Sequence, residues 1–367
     1  MKLIYLSNSV FPSRTANSVQ VIKMCAAFSA HGHDVTLIGQ KGVFSKEISE
    51  YYSVSDDFKI RTFSSKKRKV GLLSYILKST LYIIFGKGND LVYGRFAFGL
   101  LPIALLRTKC VYEIHKPPNT KATRIVETML INRKCCERIV VISHALREKY
   151  IEMYPSVAGK IIVVPDASDI LEVDNVESIF SDKKFRVGYV GHLYAGKGME
   201  LISKLAPLLP TFEFHIVGGT EEDLAFWRQH CETVPNIIFH GFIEQNSLPR
   251  FYHGFEVMLA PYQNAVSAQG NTIDIAKWMS PLKIFEYMAA KKPIIASDIP
   301  VLKEVLRNNY NAILCDPSSV DEWVHALEHL SQDTALREKI ANTAYHDFKS
   351  HYTWDRRVEK VLSGLKI

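Results

Sequence analysis

The most informative stretch of this chain is Ser280-Pro281-Leu282-Lys283-Ile284-Phe285-Glu286-Tyr287-Met288-Ala289-Ala290-Lys291-Lys292-Pro293. Ser280 is a favourable N-cap, Pro281 suits the first helical position and Pro293 ends the run, so the pattern predicts a helix that begins at Ser280. Because first-turn N–H groups are unpaired and the helix dipole is positive there, the backbone from Pro281 to Lys283 is a candidate diphosphate site. Glu286 lies further inside, where a carboxylate accepts hydrogen bonds from ribose hydroxyls. The alternative is a capped surface helix with a solvated Glu286.

A glycine-rich segment nearer the N-terminus indicates the same kind of ligand. The sequence Gly188-Tyr189-Val190-Gly191-His192-Leu193-Tyr194-Ala195-Gly196-Lys197-Gly198 follows a predicted strand. Its glycines allow a tight turn and the close approach of an anion, and Lys197 adds a point charge. Taken alone, the segment also fits an ordinary turn between a strand and a helix.

Around these two segments, short apolar runs alternate with helical patterns, which is typical of parallel sheets covered by helices and predicts an α/β fold. The first series of predicted strands comprises Lys2–Ser7, Asp34–Gly39, Lys59–Phe63, Leu91–Tyr93, Cys110–Ile114, Arg138–Ser143 and Ile161–Pro165. The second series comprises Phe185–Gly191, Phe212–Gly218, Ile237–Gly241, Val257–Pro261, Ile294–Ser297 and Ala312–Cys315.

The stretch between the two series is acidic and poor in strand patterns, which suits a solvated linker. The chain has 367 residues, a length that favours two domains. We predict domains at residues 1–168 and 185–345, joined by a linker at 169–184. Residues 346–367 are a candidate C-terminal helix that returns to the first domain. Because doubly wound sheets bind ligands beyond the carboxyl ends of their strands, we expect two Rossmann-like halves that face each other across a binding cleft.

The order and spacing of the two quoted segments resemble those of the family 4 glycosyltransferases of the GT-B fold, over essentially the whole chain. The residues from Gly191 to Gly198 are similar to the family's donor loop. Phe285-Glu286-Tyr287-Met288-Ala289-Ala290, with Pro293, is similar to the end of its Glu-seven-Glu motif. The resemblance implies a retaining transferase in which Lys197 binds the donor diphosphate and Glu286 binds the ribose.

Shorter matches extend the resemblance. Tyr112-Glu113-Ile114-His115 is similar to a strand end of the family's first domain, whose histidine reaches the transferred sugar, although a strand-end histidine by itself is more often structural. The resemblance thus implies His115, Lys197 and Glu286 as catalytic residues. The donor-binding set that it implies comprises Gly191, His192, Gly196, Lys197, Gly218, Gly219, Ser280, Pro281, Leu282, Lys283 and Glu286.

Three features depart from the family's pattern. Eight residues before Glu286, where the motif has its first Glu, this chain has Trp278, and Asp274 is a candidate substitute. The family's donor-loop arginine falls near His192, which leaves Lys197 as the clear cation. The first strand also lacks a Gly-Gly loop. From the segment that follows that strand we interpret four residues as candidate acceptor contacts: Ser13, Arg14, Asn17 and Ser18.

The composition is that of an ordinary globular protein, with 47% apolar and 23% charged residues. The 45 Lys and Arg against 38 acidic residues give a net charge of +7, which favours anionic partners. Six cysteines without Cys-x-x-Cys spacing indicate reduced thiols, and no signal-peptide pattern is present, so we expect a cytoplasmic protein. Neither an Asp-x-Asp sequence nor a His or Cys cluster with metal-ligand spacing occurs, so we predict transfer without a metal or a cofactor beyond the nucleotide sugar.

A basic and apolar segment lies in the first half. Lys66-Lys67-Arg68-Lys69 precedes an apolar run over residues 70–85 that contains Lys78, and Lys87 follows it. Such a segment suits the surface of an anionic membrane, which would place the protein at the inner face and favour a lipid-linked acceptor. The alternative is a solvated loop followed by a core-facing helix. The run is too often interrupted to span a bilayer, and no nucleic-acid-binding motif accompanies the charge.

These observations lead to one main hypothesis and two alternatives. The main hypothesis is an enzyme that transfers a hexose from a UDP- or GDP-sugar to a glycan or lipid-linked glycan. Trp278 motivates a second hypothesis, a non-catalytic subunit that binds sugar nucleotides. A sugar-nucleotide epimerase is the third, whereas a dinucleotide dehydrogenase is disfavoured because no Gly-x-Gly-x-x-Gly follows the first strand.

Overall fold

The computed structural model describes residues 1–42, 48–55, 57–64, 68–86, 88–171, 177–180, 182, 184–267 and 274–365. The chain divides into two compact units, and each is described by itself. The first unit comprises Met1–Pro165 with Trp354–Ile367, and the second comprises Asp166–Thr353. The division therefore falls slightly before the predicted boundary at residue 168.

The first unit alternates strands and helices, as the sequence pattern indicates. Its elements, up to the end of its last strand, are β1 (Lys2–Phe11), α1 (Ala16–Ala30), β2 (Asp34–Lys41), α2 (Ile48–Tyr52), β3 (Lys59–Phe63), α3 (Arg68–Phe85), β4 (Leu91–Gly94), α4 (Ala97–Leu105), β5 (Cys110–Ile114), α5 (Lys121–Ile131), β6 (Cys136–Val141), α6 (His144–Met153) and β7 (Ile161–Val163). Within the described residues the strands form one parallel sheet in the order β3-β2-β1-β4-β5-β6-β7.

Strand β1 is longer than predicted. It continues from Leu6 past an irregularity in its pairing with β2 and ends at Phe11, which pairs with Lys41. The hydroxyl group of Ser7 donates to that of Ser9 at 2.8 Å within the irregular segment. The prediction that the strand ends at Ser7 is wrong because polar residues in a bulge interrupt the apolar pattern without ending the strand.

The second unit repeats the same plan. Its elements are β8 (Phe185–Val190), α7 (Met199–Leu205), β9 (Phe212–Val217), α8 (Glu221–His230), β10 (Ile237–Gly241), α9 (Leu248–Gly254), β11 (Val257–Ala260), α10 (Leu282–Ala289), β12 (Ile294–Ser297), β13 (Ile313–Cys315), α11 (Val320–Gln332) and α12 (Thr334–His351). The described strands form a parallel sheet in the order β10-β9-β8-β11-β12-β13. The strand order reverses between β8 and β11, and such reversals are where doubly wound sheets bind ligands.

The predicted linker is part of the second unit where the structure describes it. The ring of Phe180 packs 6.4 Å from that of Phe251 and 5.9 Å from that of Phe255, measured between ring centroids. Arg186, at the start of β8, forms an ion pair with Asp182. A solvated connection is therefore the wrong description of this part of the segment, because its aromatic side chain is packed against the domain.

The C-terminal region consists of two helices from different units. Helix α12 ends the second unit, and α13 (Trp354–Leu362) belongs to the first unit, where it contacts α1. The prediction of a single helix at 346–367 is therefore wrong, because α12 ends and α13 begins within this range. Helix α13 does lie in the first unit, to which the predicted helix was expected to return.

Two properties of the chain bear on its surroundings. All six cysteines are free thiols. None of the helices in the described part of the chain combines the length and apolarity that crossing a bilayer requires.

Candidate active site

The glycine turn predicted to bind phosphate follows β8, at the reversal of strand order in the second sheet. The N–H group of Gly191 donates to the carbonyl of Val217 at 2.9 Å, which ties the turn to the end of β9. Gly218 has a φ of 115°, and a Cβ atom there would lie 2.2 Å from the carbonyl oxygen of Gly191. The two turns predicted as donor loops therefore touch, and their close approach requires a glycine at position 218.

The rest of the turn leads into α7. The N–H group of Gly196 donates to Oε1 of Glu200 at 3.1 Å, and that of Lys197 donates to the carbonyl of Tyr194 at 2.9 Å. Gly219 is in close contact with Leu193, since a Cβ atom at Gly219 would lie 2.7 Å from Cδ1 of that side chain. These contacts fix the backbone that carries Lys197.

His192 occupies the place where the family pattern has an arginine. Its ring stacks on that of Tyr194, with centroids 4.9 Å apart and an interplanar angle of 4°. Burial and the charges of Lys197 and Lys283 lower the pKa of His192. The imidazole is therefore neutral at pH 7 and does not replace the missing cation.

Helix α10 begins differently from the prediction. Pro281 is its N-cap and Leu282 is its first residue. The hydroxyl oxygen of Ser280 accepts a hydrogen bond from the N–H group of Asp166 at 2.8 Å. The prediction of Ser280 as the N-cap is wrong because a distant part of the chain engages its hydroxyl group. The N–H groups at the start of α10 are therefore those of Leu282 and Lys283, and such first-turn groups have no carbonyl partner inside a helix.

Tyr287 attaches α10 to the glycine turn. Its hydroxyl group accepts from the N–H group of Val190 at 2.9 Å and donates to the carbonyl of the same residue at 3.2 Å. Because Val190 directly precedes Gly191, these hydrogen bonds join α10 to the glycine turn. The sequence analysis did not single out Tyr287, since an aromatic residue on an apolar helix face is usually only part of the core.

Two lysines converge at this point. Nζ of Lys197 lies 5.3 Å, and Nζ of Lys283 lies 4.9 Å, from the centroid of the Tyr262 ring, which follows β11. Burial lowers the pKa of Lys197 to about 8. Burial, together with the charge of Lys197, holds the pKa of Lys283 well below its ordinary value. Since both ammonium groups lose solvation and the two repel each other, an anionic ligand would stabilise their charged forms.

Glu286 lies one turn into α10 and is half-buried. The hydroxyl group of Tyr252 donates to its Oε2 at 3.3 Å. Oδ1 of Asp274, the candidate substitute for the missing motif Glu, accepts from the N–H groups of Val266 and Ala276, each at 2.9 Å. This oxygen of Asp274 therefore stabilises the backbone on either side of residues 268–273, which lie outside the described part of the chain.

His115 lies at the end of β5 in the first unit, next to a buried acidic residue. Its Nε2 is 2.5 Å from Oε1 of Glu113. Glu113 also accepts from Nε2 of Gln20 at 2.9 Å, from Nη2 of Arg357 at 3.1 Å and from the hydroxyl group of Tyr93. Burial opposes the ionisation of Glu113, but Arg357 and His115 outweigh it and hold its pKa below the ordinary value. An ionised carboxylate thus orients the imidazole.

Sequence reasoning missed this network. Glu113 was quoted only as part of a strand end, and Arg357 is 244 residues away in the sequence. Glu113 is an acid within the otherwise continuous apolar run of β5, and that was the available signal. Nothing local to the sequence identifies its partner.

The candidate acceptor contacts lie at the start of α1 and have different environments. Ser18 is fully buried, and its hydroxyl group donates to the carbonyl of Ser13 at 2.9 Å, so the prediction that Ser18 contacts an acceptor is wrong. Nδ2 of Asn17 donates to the hydroxyl oxygen of Ser9 at 2.6 Å. Ser13 and Asn17 are half-buried and Arg14 is exposed, so these three residues stay predictions.

The predicted basic, apolar segment contains α3. Lys66, Lys67 and Lys87 lie outside the described residues. One side of α3 packs into the first unit through Tyr75, Ser79 and Ile83, as the core-facing alternative requires. The other side exposes large apolar side chains at Leu73, Leu77, Leu81, Ile84 and Phe85.

Comparisons with known proteins agree with this architecture. Residues 18–170 match the model of Glycosyltransferase Family 4, and residues 172–347 match that of Glycosyl transferases group 1. An uncharacterized glycosyltransferase of Haemophilus influenzae is 24% identical over 94% of this chain and 93% of its own length. An uncharacterized glycosyltransferase of Methanocaldococcus jannaschii is 22% identical over 68% of this chain, which spans 64% of that protein.

Two further similarities concern better-described proteins. The alpha-galactosylglucosyldiacylglycerol synthase of Streptococcus pneumoniae is 24% identical over 47% of this chain and 44% of its own length. The structure of Anabaena HepE, solved in complex with UDP and glucose, covers 100% of both chains with a TM-score of 0.74 and 17% identity. Since the two family models adjoin and together match residues 18–170 and 172–347, this chain belongs to the family 4-like glycosyltransferases of the GT-B fold.

Proposed function

We propose that this glycosyltransferase transfers a hexose from a UDP- or GDP-sugar to a glycan or lipid-linked glycan. The observation that carries the proposal is the convergence of the glycine turn, the start of α10 and two lysines in the second unit. Backbone N–H groups and buried cations form a suitable environment for a diphosphate. The binding of UDP and of UDP-glucose by Anabaena HepE supports a nucleotide sugar as the donor.

The proposed chemistry needs charge stabilisation at the leaving group. When the bond between the anomeric carbon and the diphosphate breaks, negative charge develops on the phosphate oxygens. Fixed N–H groups at the start of α10, with Lys197 and Lys283, would stabilise that charge without reorganisation, and Glu286 would hold the ribose. We propose on this basis that transfer is metal-independent, and we propose retention at the anomeric carbon from the resemblance to the family.

A ligand screen tests the donor. UDP- and GDP-sugars are added singly, and unfolding by heat is followed, because a ligand that binds only the folded state raises the melting temperature. We expect one nucleotide class to raise it, and Lys197→Ala or Glu286→Ala to weaken the binding of that nucleotide about tenfold or more, since each removes a charged hydrogen-bonding partner. Lys204→Ala, at an exposed lysine of α7, is the control. Unchanged affinity in both site variants would contradict the assignment of the donor site.

Turnover assays separate the proposed enzyme from the alternatives. Incubation with the donor and candidate acceptors, with and without EDTA, should yield a glycosylated product in both conditions. Nucleotide binding without turnover would favour a non-catalytic subunit, the hypothesis that is suggested by Trp278 in place of the motif Glu. Conversion of the donor sugar without any acceptor would favour an epimerase.

We further propose that the first unit binds an anionic membrane surface from the cytoplasmic side, through α3, α4 and α5. Helix α4 contacts both of the other helices. Large apolar side chains are exposed on all three helices. Besides those already named on α3, they are Leu105 and the following Leu106 at the end of α4, and Ile125 and Met129 on α5. Glu127 is the sole acidic residue in the sequences of the three helices, and it is buried against Tyr112. An exposed surface that combines apolar side chains with basic ones and lacks acids suits anionic lipids.

Vesicle binding tests the membrane proposal. We expect the protein to sediment with vesicles that contain phosphatidylglycerol and far less with pure phosphatidylcholine. The double variant Leu77→Asp and Phe85→Asp should lower binding about tenfold or more, because it removes apolar area and adds repulsion. Phe226→Asp, at an exposed apolar residue of α8, is the matched control. Equal sedimentation of the double variant and the wild type would refute the proposal.

A further inference from the structure

The side chain of Lys283 is buried and lacks a hydrogen-bond partner. The residue is 8% exposed, and its Nζ makes no hydrogen bond within the described part of the chain. Lysine is almost never fully buried unless it is paired.

The surroundings direct the amino group towards the donor site. Nζ lies 3.8 Å from the ring centroid of Tyr189 on β8, and a Cβ atom on Gly191 would be 3.2 Å from Nζ. Tyr262 faces it from the segment after β11, at 4.9 Å. The amino group therefore lies next to the glycine turn and close to two aromatic rings, at the first turn of α10.

The charged groups around Lys283 do not pair with it. Lys197 from the glycine turn disfavours a positive charge on Lys283, and Glu286, on the same helix, favours it less strongly than burial opposes it. Burial, and after it the positive charge of Lys197, lowers the pKa of His192 in the same turn, so this imidazole adds no further positive charge. A buried amino group with no ion pair tends to release its proton and stay neutral.

We propose that Lys283 takes up a proton from solvent when the nucleotide sugar binds, so that the diphosphate is bound by a cation that forms on binding. The proton goes to Nζ, no covalent bond to the ligand forms, and the entering diphosphate supplies the compensating negative charge. The inference rests on the proposed donor site and specifies its regulation. Near pH 7, the affinity for the donor depends on proton concentration mainly through Lys283.

Calorimetry tests the proposal. UDP-glucose, or GDP-mannose if UDP-glucose does not bind, is titrated at pH 7 in buffers of different ionisation enthalpy. Both ligands are diphosphates esterified at both ends, so they carry no phosphate group that titrates near neutrality. The slope of the binding enthalpy against the buffer enthalpy counts protons. We expect the wild type and Lys204→Met to take up about one proton per ligand, and Lys283→Met to take up almost none while binding about tenfold or more weakly.

A second measurement separates this role from a purely structural one. The unfolded chain holds the proton of Lys283 up to a higher pH than the folded chain does, so below the unfolded pKa the buried amino group lowers stability. Without ligand, Lys283→Met should therefore melt at or above the temperature of the wild type at pH 7. A marked fall in the melting temperature would show that Lys283 serves the fold, and would overturn the inference.

The outcomes distinguish this inference from the proposed function. If no UDP- or GDP-sugar of the ligand screen binds, the proposed function fails and the inference fails with it; if one other than these two binds, that sugar nucleotide is used for the titration. If a nucleotide sugar binds with no proton uptake by the wild type, only the inference fails. Equal proton uptake by the wild type and Lys283→Met would assign the proton to another group and would likewise refute the inference.

Discussion

At the scale of single residues, the first unit contains a buried ion pair between Glu113 and Arg357. Arg357 donates to both oxygens of Glu113, at 3.1 Å and 3.4 Å, and Nε of Arg357 donates to the carbonyl of Pro165 at 3.0 Å. Both side chains are almost completely buried. Removing one partner of such a pair leaves an uncompensated charge in a medium that solvates it poorly.

We expect Arg357→Met to lower the free energy of unfolding of the first unit by about 3–5 kcal/mol. The neighbouring Arg356 provides a matched control, because its ion pair with Glu359 is exposed, so Arg356→Met should lower the stability far less than Arg357→Met does. Urea unfolding of both variants checks the prediction. Similar losses in the two variants would mean that the buried pair contributes no more than a surface pair.

The sequence could identify one half of this pair and not the other. Glu113 is recognisable as an acid inside an apolar strand, whereas Arg357 lies in an ordinary amphipathic helix far along the chain. A contact between such distant residues is set by the docking of α13, and no local pattern encodes it. The role implied for His115 by the family resemblance stays a prediction, although its environment is now defined.

At the scale of elements, the second unit depends on the contact between two turns. Gly218 and Gly191 approach so closely that a Cβ atom on Gly218 would overlap the opposing carbonyl oxygen. Gly32 also has a positive φ, of 79°, but a Cβ atom there would meet nothing within 4 Å. The two positions therefore share the strain of a left-handed backbone and differ in crowding.

We expect Gly218→Ala to displace the glycine turn and to weaken nucleotide binding about tenfold or more, because a 1 Å misplacement of binding groups is already costly. Gly32→Ala should lower stability by about 1 kcal/mol from backbone strain alone and leave nucleotide affinity unchanged. Calorimetric titration with the nucleotide found in the ligand screen checks both variants. The prediction fails if Gly218→Ala binds that nucleotide as the wild type does.

Elements were predicted well wherever an apolar period was uninterrupted. Strands such as Phe185–Val190 and Ile294–Ser297 agree with their predicted positions to within a residue. The errors arose where a tertiary contact overrode local chemistry, as at Ser280, whose hydroxyl group bonds to Asp166 instead of capping α10. The sequence also did not show that α3 has an exposed apolar side, since the same residues fit a helix that faces the core.

At the scale of the whole molecule, the chain returns to its first unit after completing the second. Helix α13 packs on α1, and its residue Asp355 is 3.3 Å from His31. The carbonyl of Val361 accepts from Nη1 of Arg138 at 2.7 Å, which attaches the end of α13 near β6. The first unit is thus assembled from two separate parts of the chain.

We expect deletion of residues 354–367 to destabilise the first unit selectively. Amide hydrogen exchange should become faster in β5, which loses the cation opposite Glu113, and should change little in β9. Deletion of residues 363–367, which leaves α13 intact, is the control. Unchanged exchange in β5 after the longer deletion would show that α13 is dispensable for the first unit.

The pairing of Glu113 with Arg357 also determines when each half of the protein can mature on the ribosome. Arg357 is translated 244 residues after Glu113, and every residue of the second unit is translated in between. Domains generally fold as units during synthesis, and the second unit has all of its residues before Arg357 exists. The half of the protein that emerges from the ribosome first is therefore the half whose folding is completed last.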